Sequence, residues 1–240
     1  MQKLIPVLEI FGPTIQGEGA VIGVKTMFIR TAGCDYSCDW CDSSFTWDGS
    51  GKEYIKMMTS EHIFKKIKEI GGDNFSHVTI SGGNPVLLPQ MGHLVHLLKI
   101  HGYRIAIETQ GSKWQDWLYS IDDITISPKP PSSGMRTNYE KLSEIIRKLD
   151  NRENVNLKVV VFNDEDFSYA KNIHILFPSV PFYLQVGNGY VNTKDNDKLI
   201  PYLLKKYQWL IEKTLNCKEM NDSKVLPQLH TLVWGNKRGV

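Results

Sequence analysis

Residues 30–43 have the sequence RTAGCDYSCDWCDS and hold three of the four cysteines of the 240-residue chain. The spacing Cys34-x3-Cys38-x2-Cys41 places three thiols on one short polar loop, where they can converge on one metal centre. A closed structural zinc site needs four ligands, whereas a cubane iron–sulfur cluster held by three thiolates leaves one iron open. Cys217 stands far along the chain and is expected to take no part. The pattern therefore indicates a chemically active metal centre with one open position.

The composition excludes several other classes of protein. Hydrophobic residues make up 41% of the chain and charged residues 22%, which favours one globular domain over a disordered or fibrous chain. The net charge is only +2 and no basic run indicates nucleic-acid binding. No apolar run approaches the ~18 residues of a membrane span, and residues 1–13 lack the features of a signal peptide. We expect one cytoplasmic domain over residues 1–240, with reduced thiols and a small-molecule partner, and with neither nucleic acid nor membrane as a partner.

Short β-branched runs alternate with helical patterns along the chain, which indicates repeated βα units. Strands are predicted at residues 25–31, 77–81, 103–109, 124–127, 156–161 and 182–186. Helices are predicted at residues 59–70, 89–101, 138–149, 164–177 and 197–215. Six strands favour a partial barrel, because a closed eight-stranded barrel needs about 250 residues. The predicted fold class is therefore α/β, a partial (β/α)6-type barrel with the cysteine loop after its first strand and ligands bound at the strands' C-terminal ends.

The cysteine motif, with Trp40 directly before the last cysteine, resembles the cluster motif of the radical S-adenosylmethionine (SAM) superfamily. The segment at residues 81–85, Ser-Gly-Gly-Asn-Pro, is similar to the glycine-rich segment that follows the second strand in that superfamily. The resemblance implies a radical SAM barrel with a 4Fe-4S cluster, whose open iron is chelated by SAM. It also implies a flavodoxin-like or similar one-electron reductant. Asn84 departs from the superfamily, which usually has glutamate there, so its contact to the ammonium group of SAM is expected to be weaker.

Further segments resemble the 7-carboxy-7-deazaguanine synthase family, and the Bacillus-type members above all. They are Gln-Gly-Glu-Gly at residues 16–19, Phe-Ile-Arg at residues 28–30, Trp-Cys-Asp at residues 40–42 and the segment around His230. The resemblance implies radical ring contraction of 6-carboxy-5,6,7,8-tetrahydropterin to 7-carboxy-7-deazaguanine with loss of ammonia, a step toward queuosine, and a homodimer. A glycyl-radical-enzyme activase and a non-catalytic iron–sulfur or zinc protein stay open as alternatives.

The family resemblance also implies three sets of site residues. The substrate set is Ile15, Gln16, Gly17, Glu18, Arg30, Ser81, His230 and the carboxylate of Val240. The SAM set is Gly83, Glu108, Thr109, Ser127, Pro128, Lys129, Gln185, Val186, Gly187 and Asn188. The metal set is Cys34, Cys38 and Cys41 for the cluster and Ser43 for Mg²⁺, with Asp42 as a rival Mg²⁺ ligand. No side chain is expected to act as acid or base, because the radical comes from SAM.

The role of Arg30 has two interpretations. The resemblance implies that its guanidinium pairs bidentately with the substrate carboxylate, a geometry that suits the planar guanidinium group. The alternative is an ordinary surface ion pair.

Overall fold

The structure is a computed structural model that describes residues 3–149 and 153–240. Within these residues nine strands form a single sheet. They are β1 (Ile5–Ile15), β2 (Lys25–Thr31), β3 (Lys56–Met58), β4 (His77–Gly82), β5 (Arg104–Thr109), β6 (Asp123–Ile126), β7 (Val155–Val161), β8 (Phe182–Val186) and β9 (Lys224–Leu226). The α-helices are α1 (Ser60–Gly71), α2 (Met91–Ile100), α3 (Tyr139–Lys148), α4 (Asp164–Leu176), α5 (Asn196–Leu215) and α6 (Leu229–Trp234).

The strand order is β3-β1-β2-β4-β5-β6-β7-β8-β9. Strands β2 and β4 to β9 pair in parallel, whereas β1 runs antiparallel to both β2 and β3. The six predicted strands lie side by side in this parallel part, and each predicted end falls within one residue of the observed end. The α/β partial barrel is therefore confirmed, with three additional strands, β1, β3 and β9, that extend its two edges.

The core lies between the sheet and the helices. All seven residues of β7 and all five of β8 are buried, as expected for parallel strands covered on both faces. Helix α1 begins after Thr59, whose hydroxyl accepts a hydrogen bond from the His62 amide at 3.2 Å, and it places Ile63 and Ile67 in the core. In the part of the chain that the structure describes, no helix is long and apolar enough to cross a membrane.

Candidate active site

A cavity of about 280 Å³ lies at the C-terminal ends of the parallel strands. Most of the predicted site residues line it, from the loop after β1, the cysteine loop, the ends of β4 to β6, the loop after β8 and the segment after β9. They are Ile15, Gln16, Gly17, Glu18, Arg30, Cys34, Cys38, Cys41, Ser43, Ser81, Gly83, Glu108, Thr109, Ser127, Lys129, Asn188, His230 and Val240. The fold thus brings together segments that are more than 200 residues apart in the sequence.

The other predicted SAM residues are not among the residues that line the cavity. Val186 packs in the hydrophobic core, and the space above Gly187 is filled by the Phe162 ring. Gln185 is fully buried, and Pro128 stands between two residues that do line the cavity. The part that these four residues take in binding SAM stays a prediction.

Amide and indole N–H groups donate to two of the three sulfur atoms of the cysteine loop. The Tyr36 amide donates to Cys34 Sγ at 3.4 Å, Gln110 Nε2 donates to the same sulfur at 3.8 Å, and Trp47 Nε1 donates to Cys41 Sγ at 3.5 Å. Such bonds stabilise the negative charge of thiolates and tune the potential of a cluster that they hold. Three soft thiolates with N–H donors fit an iron–sulfur cluster.

Burial raises the pKa of all three cysteine thiols, and that of Cys38 reaches about 11. The positive charge of Lys129 opposes this shift at Cys34, Cys38 and Cys41 alike. Because a metal ligates thiolate, loading the loop with iron releases protons. Cys217 lies away from the cavity, and its thiol donates to Glu219 Oε2 at 3.4 Å.

A chain of hydrogen bonds anchors the cysteine loop to the far side of the barrel. Trp40 Nε1 donates to Ser132 Oγ at 2.9 Å, and its ring lies 4.8 Å from that of Phe162. The fully buried Asp166, in the first turn of α4, accepts bonds from the Ser132 hydroxyl at 2.7 Å and amide at 3.1 Å. The loop therefore holds its shape through Asp166, Ser132 and Trp40.

The glycine-rich segment after β4 packs directly against the backbone of the cysteine loop. A Cβ atom on Gly83 would overlap the carbonyl group of Gly33, and one on Gly82 would overlap the Thr31 backbone. The φ angle of Gly82 is also +126°. Glycine is required at both positions because backbone approaches backbone there.

Asn84 anchors this segment and does not line the cavity, which differs from the contact to SAM expected from the sequence. It is only 1% exposed. Its Nδ2 donates to Asp35 Oδ1 at 3.0 Å and to Ser112 Oγ at 3.1 Å, and its Oδ1 accepts from the Thr109 hydroxyl at 2.9 Å. An amide, with both donors and an acceptor, suits this position, whereas a carboxylate would face Asp35 with the same charge.

Glu18 also lines the cavity and is contacted by three side chains. Lys158 Nζ contacts Glu18 Oε2 at 2.7 Å, Gln228 Nε2 donates to Oε1 at 2.9 Å, and His230 Nε2 is 3.9 Å from Oε1. Burial acts to raise the pKa of Glu18, but the charges of Lys158 and His230 outweigh it and hold that pKa well below its usual range. Gln185 lies close enough to favour the charged form, although it makes no hydrogen bond of standard geometry.

The segment at α6 docks onto the turn that carries Gly17 and Glu18. The Leu229 amide donates to the Gly17 carbonyl at 3.0 Å, and a Cβ on Gly17 would lie 2.7 Å from the His230 backbone nitrogen and overlap its ring. The absence of a side chain at Gly17 therefore allows His230 to reach the cavity.

Arg30 makes an ion pair inside the protein. Its Nε lies 2.5 Å from Glu9 Oε1, its Nη1 donates to Ser43 Oγ at 2.9 Å, and its guanidinium lies over the Phe45 ring. A second guanidinium, that of Arg238, binds the other Glu9 oxygen at 2.8 Å and also covers Phe45. Arg30 is therefore ion-paired, but the pair is largely enclosed and is not the surface ion pair of the alternative interpretation. Because Arg30 also lines the cavity, its pairing with a substrate carboxylate stays a prediction.

Ser43 and Asp42, the residues predicted to bind Mg²⁺, both line the cavity. The Ser43 hydroxyl donates to Asp42 Oδ1 at 3.1 Å. Ligand atoms of Asp42, Glu18 and His230 lie within 4.8 Å of one another. Hard oxygen ligands of this kind suit Mg²⁺. A cationic side chain adjoins each end of this group, since Lys158 binds one oxygen of Glu18 and Arg30 donates to Ser43 Oγ.

The fold and this site define a class of protein. A family model described as the Radical SAM superfamily matches residues 28–155, and the chain belongs to that superfamily. A radical SAM protein holds a 4Fe-4S cluster and uses SAM, in agreement with the three-cysteine loop.

More similar relatives show to which family within this superfamily the chain belongs. The 7-carboxy-7-deazaguanine synthase of Bacillus cereus is 66% identical over 98% of this chain and 99% of its own length. That of Bacillus subtilis is 62% identical over 100% of both chains. The crystal structure of QueE from Escherichia coli superposes with a TM-score of 0.70 at 26% identity and covers 95% of each chain. The chain belongs to the 7-carboxy-7-deazaguanine synthase family.

Several residues that line the cavity were not predicted from the sequence, and Lys158, Gln228 and Arg238 are the charged or amide side chains among them that bind Glu18 or Glu9. One signal was present for Lys158, since it is a charged residue in the middle of the apolar run Val-Asn-Leu-Lys-Val-Val-Val. A lysine on a buried strand is rare unless it is paired.

Proposed function

We propose that this chain converts 6-carboxy-5,6,7,8-tetrahydropterin into 7-carboxy-7-deazaguanine by radical ring contraction with loss of ammonia, as a carbon–nitrogen lyase. The observation that carries the proposal is that the three cysteines line one cavity together with Glu18, Arg30 and His230, in a chain related over its whole length to enzymes of that name. The names of these relatives favour a small-molecule synthase over an activase or a non-catalytic metal protein.

The cofactor would occupy the side of the cavity nearest the cysteines. Together the cluster and SAM supply a carbon-centred radical that can remove a hydrogen atom from the substrate. Gly83 lines this part of the cavity, and the side chains of Glu108 and Ser127 offer oxygen atoms for the polar groups of the cofactor. Asn188 and Lys129 complete this side, where Lys129 also donates to Ser127 Oγ at 3.2 Å.

The substrate would occupy the other side. A pterin presents paired N–H donors and acceptors on one edge, which the ionised Glu18 carboxylate and the Gln16 amide can match. Its carboxylate would meet the guanidinium of Arg30, a charge-assisted contact that fixes orientation. Ile15, Gly17, Ser81, His230 and Val240 complete this proposed subsite. Mg²⁺ held near Ser43 would engage the same substrate carboxylate, and water and the substrate would supply its remaining ligands.

Further features of the protein are proposed from the family alone. They are a single catalytic domain over residues 1–240, a homodimer, a cytoplasmic location and a flavodoxin-like or similar one-electron reductant.

The test is direct. Protein purified without oxygen and loaded with iron and sulfide is given a reductant, SAM, Mg²⁺ and the tetrahydropterin carboxylate, and the product is identified by its ultraviolet spectrum and mass. We expect the deazapurine carboxylate. Cys38→Ala is the control, since two thiolates hold a cubane poorly, and it should lose cluster and product together. An intact cluster with no deazapurine would refute the proposal.

A further inference from the structure

A buried lysine joins the two sides of the cavity. Lys158 lies in the middle of β7, and its side chain is 3% exposed. Its Nζ lies 2.7 Å from Glu18 Oε2 and 3.1 Å from Glu108 Oε1. Glu18 comes from the loop after β1, in the proposed substrate subsite, and Glu108 comes from β5, in the proposed SAM subsite. One ammonium group therefore contacts a carboxylate on each side.

We infer that Lys158 is a positioning residue that orients the carboxylates of Glu18 and Glu108, so that substrate and SAM binding both depend on it. The inference rests on the proposed function, because it takes Glu18 to bind the pterin and Glu108 to bind SAM. Among the hydrogen bonds described, Lys158 makes none to the cysteine loop and none to Ser43 or Asp42, the residues expected to bind Mg²⁺.

The contacts of Glu18 show how the orientation is set. Lys158 binds one oxygen of the carboxylate and Gln228 binds the other, so the plane of the group is fixed. A carboxylate has about four lone-pair positions, and the remaining ones stay open to N–H groups of a ligand. Loss of Lys158 would leave Glu18 held on one side only.

The surrounding polar groups indicate that the network receives a ligand and is more than a structural ion pair. Gln228 Oε1, Ser81 Oγ and both polar atoms of the Gln185 amide are buried and make no hydrogen bond among the residues described. Buried polar atoms without a partner are rare in native proteins and mark places where water or a ligand binds. These atoms belong to residues beside Glu18 or in the lining of the same cavity.

The experiment compares Lys158→Met and Lys158→Arg with Lys99→Met as a matched control. Lys99 is a surface lysine on α2 that also pairs with a carboxylate, that of Asp122, at 2.6 Å. Each cluster-loaded protein is assayed for iron and sulfide content, for kcat, and for the KM of the pterin and of SAM.

We expect Lys158→Met to raise both KM values about 10- to 100-fold, the usual effect of losing a hydrogen bond to a charged group. Its iron content should match that of the wild type. Lys158→Arg, which keeps the positive charge, should recover part of the affinity for both ligands, and Lys99→Met should equal the wild type. Unchanged KM values in Lys158→Met would overturn the inference, and so would a Lys158→Arg variant as impaired as Lys158→Met.

A double variant tests whether Lys158 acts through Glu18. If it does, Lys158→Met should change the pterin KM much less in a Glu18→Gln background than in the wild type, because contacting residues are not additive. Additive effects would overturn the inference. The double variant has one unpaired buried carboxylate fewer than Lys158→Met. If Lys158→Met alone does not fold, the double variant is compared with Glu18→Gln. A wild-type protein that makes no deazapurine would refute the proposed function instead, and direct binding of SAM to these variants would still test the role of Lys158.

Discussion

The substitution Asn84→Asp tests how the cysteine loop is held in place. It keeps the size and shape of the side chain and replaces the Nδ2 amide group by a second carboxylate oxygen. The two bonds donated to Asp35 Oδ1 and Ser112 Oγ are lost, and two carboxylates then face each other at about 3.0 Å in a site that is 1% exposed in the wild type.

The magnitude follows from the charges. Two unit charges 3 Å apart repel by about 5 to 6 kcal/mol at an effective dielectric constant of about 20. The pair can avoid this repulsion by binding one proton, which at pH 7 costs about 4 kcal/mol for a carboxyl with a pKa near 3.9. Because binding a proton costs less than the repulsion between two charged carboxylates, the folded variant binds the proton. Asn84→Asp should therefore lower the free energy of unfolding by about 4 kcal/mol at pH 7.

The loss of stability in Asn84→Asp should depend on pH in one particular direction. The shared proton raises the folded-state pKa of the pair above the unfolded value, so the variant regains stability as the pH falls and loses it as the pH rises. The deficit relative to the wild type should shrink by about 1.4 kcal/mol per pH unit, to about 1.5 kcal/mol at pH 5.

The assay is urea unfolding of the cluster-free protein at pH 5 and pH 7, followed by iron analysis after cluster loading. Asn138→Asp is the matched control, because the Asn138 side chain caps α3 through its Oδ1, which accepts from the Lys141 amide at 2.9 Å, and aspartate caps a helix as well. We expect less bound iron in Asn84→Asp, since Asp35 lies between Cys34 and Cys38, which are predicted to bind the cluster. Equal stability and iron content in the two variants, or a deficit that does not change with pH, would refute this account of Asn84.

Three further predictions address other parts of the structure. Gly17→Ala should displace His230 and raise the pterin KM while leaving the iron content unchanged, and an unchanged pterin KM would contradict this role of Gly17. Arg30→Ala should raise the pterin KM or lower kcat and leave uncoupled SAM cleavage largely intact, whereas unchanged kinetics would remove Arg30 from the substrate site. Burial lowers the pKa of His77, whose Nδ1 lies 2.9 Å from Thr26 Oγ1, so the wild type should lose stability as the pH falls below about 6.5, and His77→Asn should lose less. Melting temperatures at pH 7.5 and 5.5 test this last point, which parallel curves for both proteins would contradict.

The parallel part of the sheet could be predicted because its signals are local. Each of the six central strands is a short apolar run followed by a turn, and most are joined by an amphipathic helix. The edge strands carry weaker signals. Strand β1 contains Gly12 and Pro13, and its pairing with β2 shifts register at Val7/Glu9 and again at Phe11/Thr14. Strands β3 and β9 have three residues each, too few for a periodic pattern.

The residues of the candidate site also fall into those that a local sequence motif predicts and those that it does not. The cysteine loop and the glycine-rich segment are short motifs, and their residues line the cavity as a group. Lys158, Gln228 and Arg238 bind glutamates that are distant in the sequence, namely Glu18, Glu108 and Glu9, and no local pattern encodes such contacts. The stretch at residues 185–188 shows the opposite problem, because neighbouring side chains on a strand point to opposite faces. Val186 therefore faces the core, and of these four residues only Asn188 lines the cavity.

The contacts of residues 229–238 with β1 and the loop after it have a consequence for biosynthesis. Gly17 binds Leu229 and Glu9 binds Arg238, pairs separated by more than 200 positions. Translation delivers the chain from its N-terminal end at about 5–20 residues per second, so the cysteine loop leaves the ribosome well before its opposite wall exists. The loop's own supports, Asn84, Ser132 and Asp166, emerge earlier than that wall. The nascent protein could therefore acquire its cluster-binding loop before it can enclose a substrate.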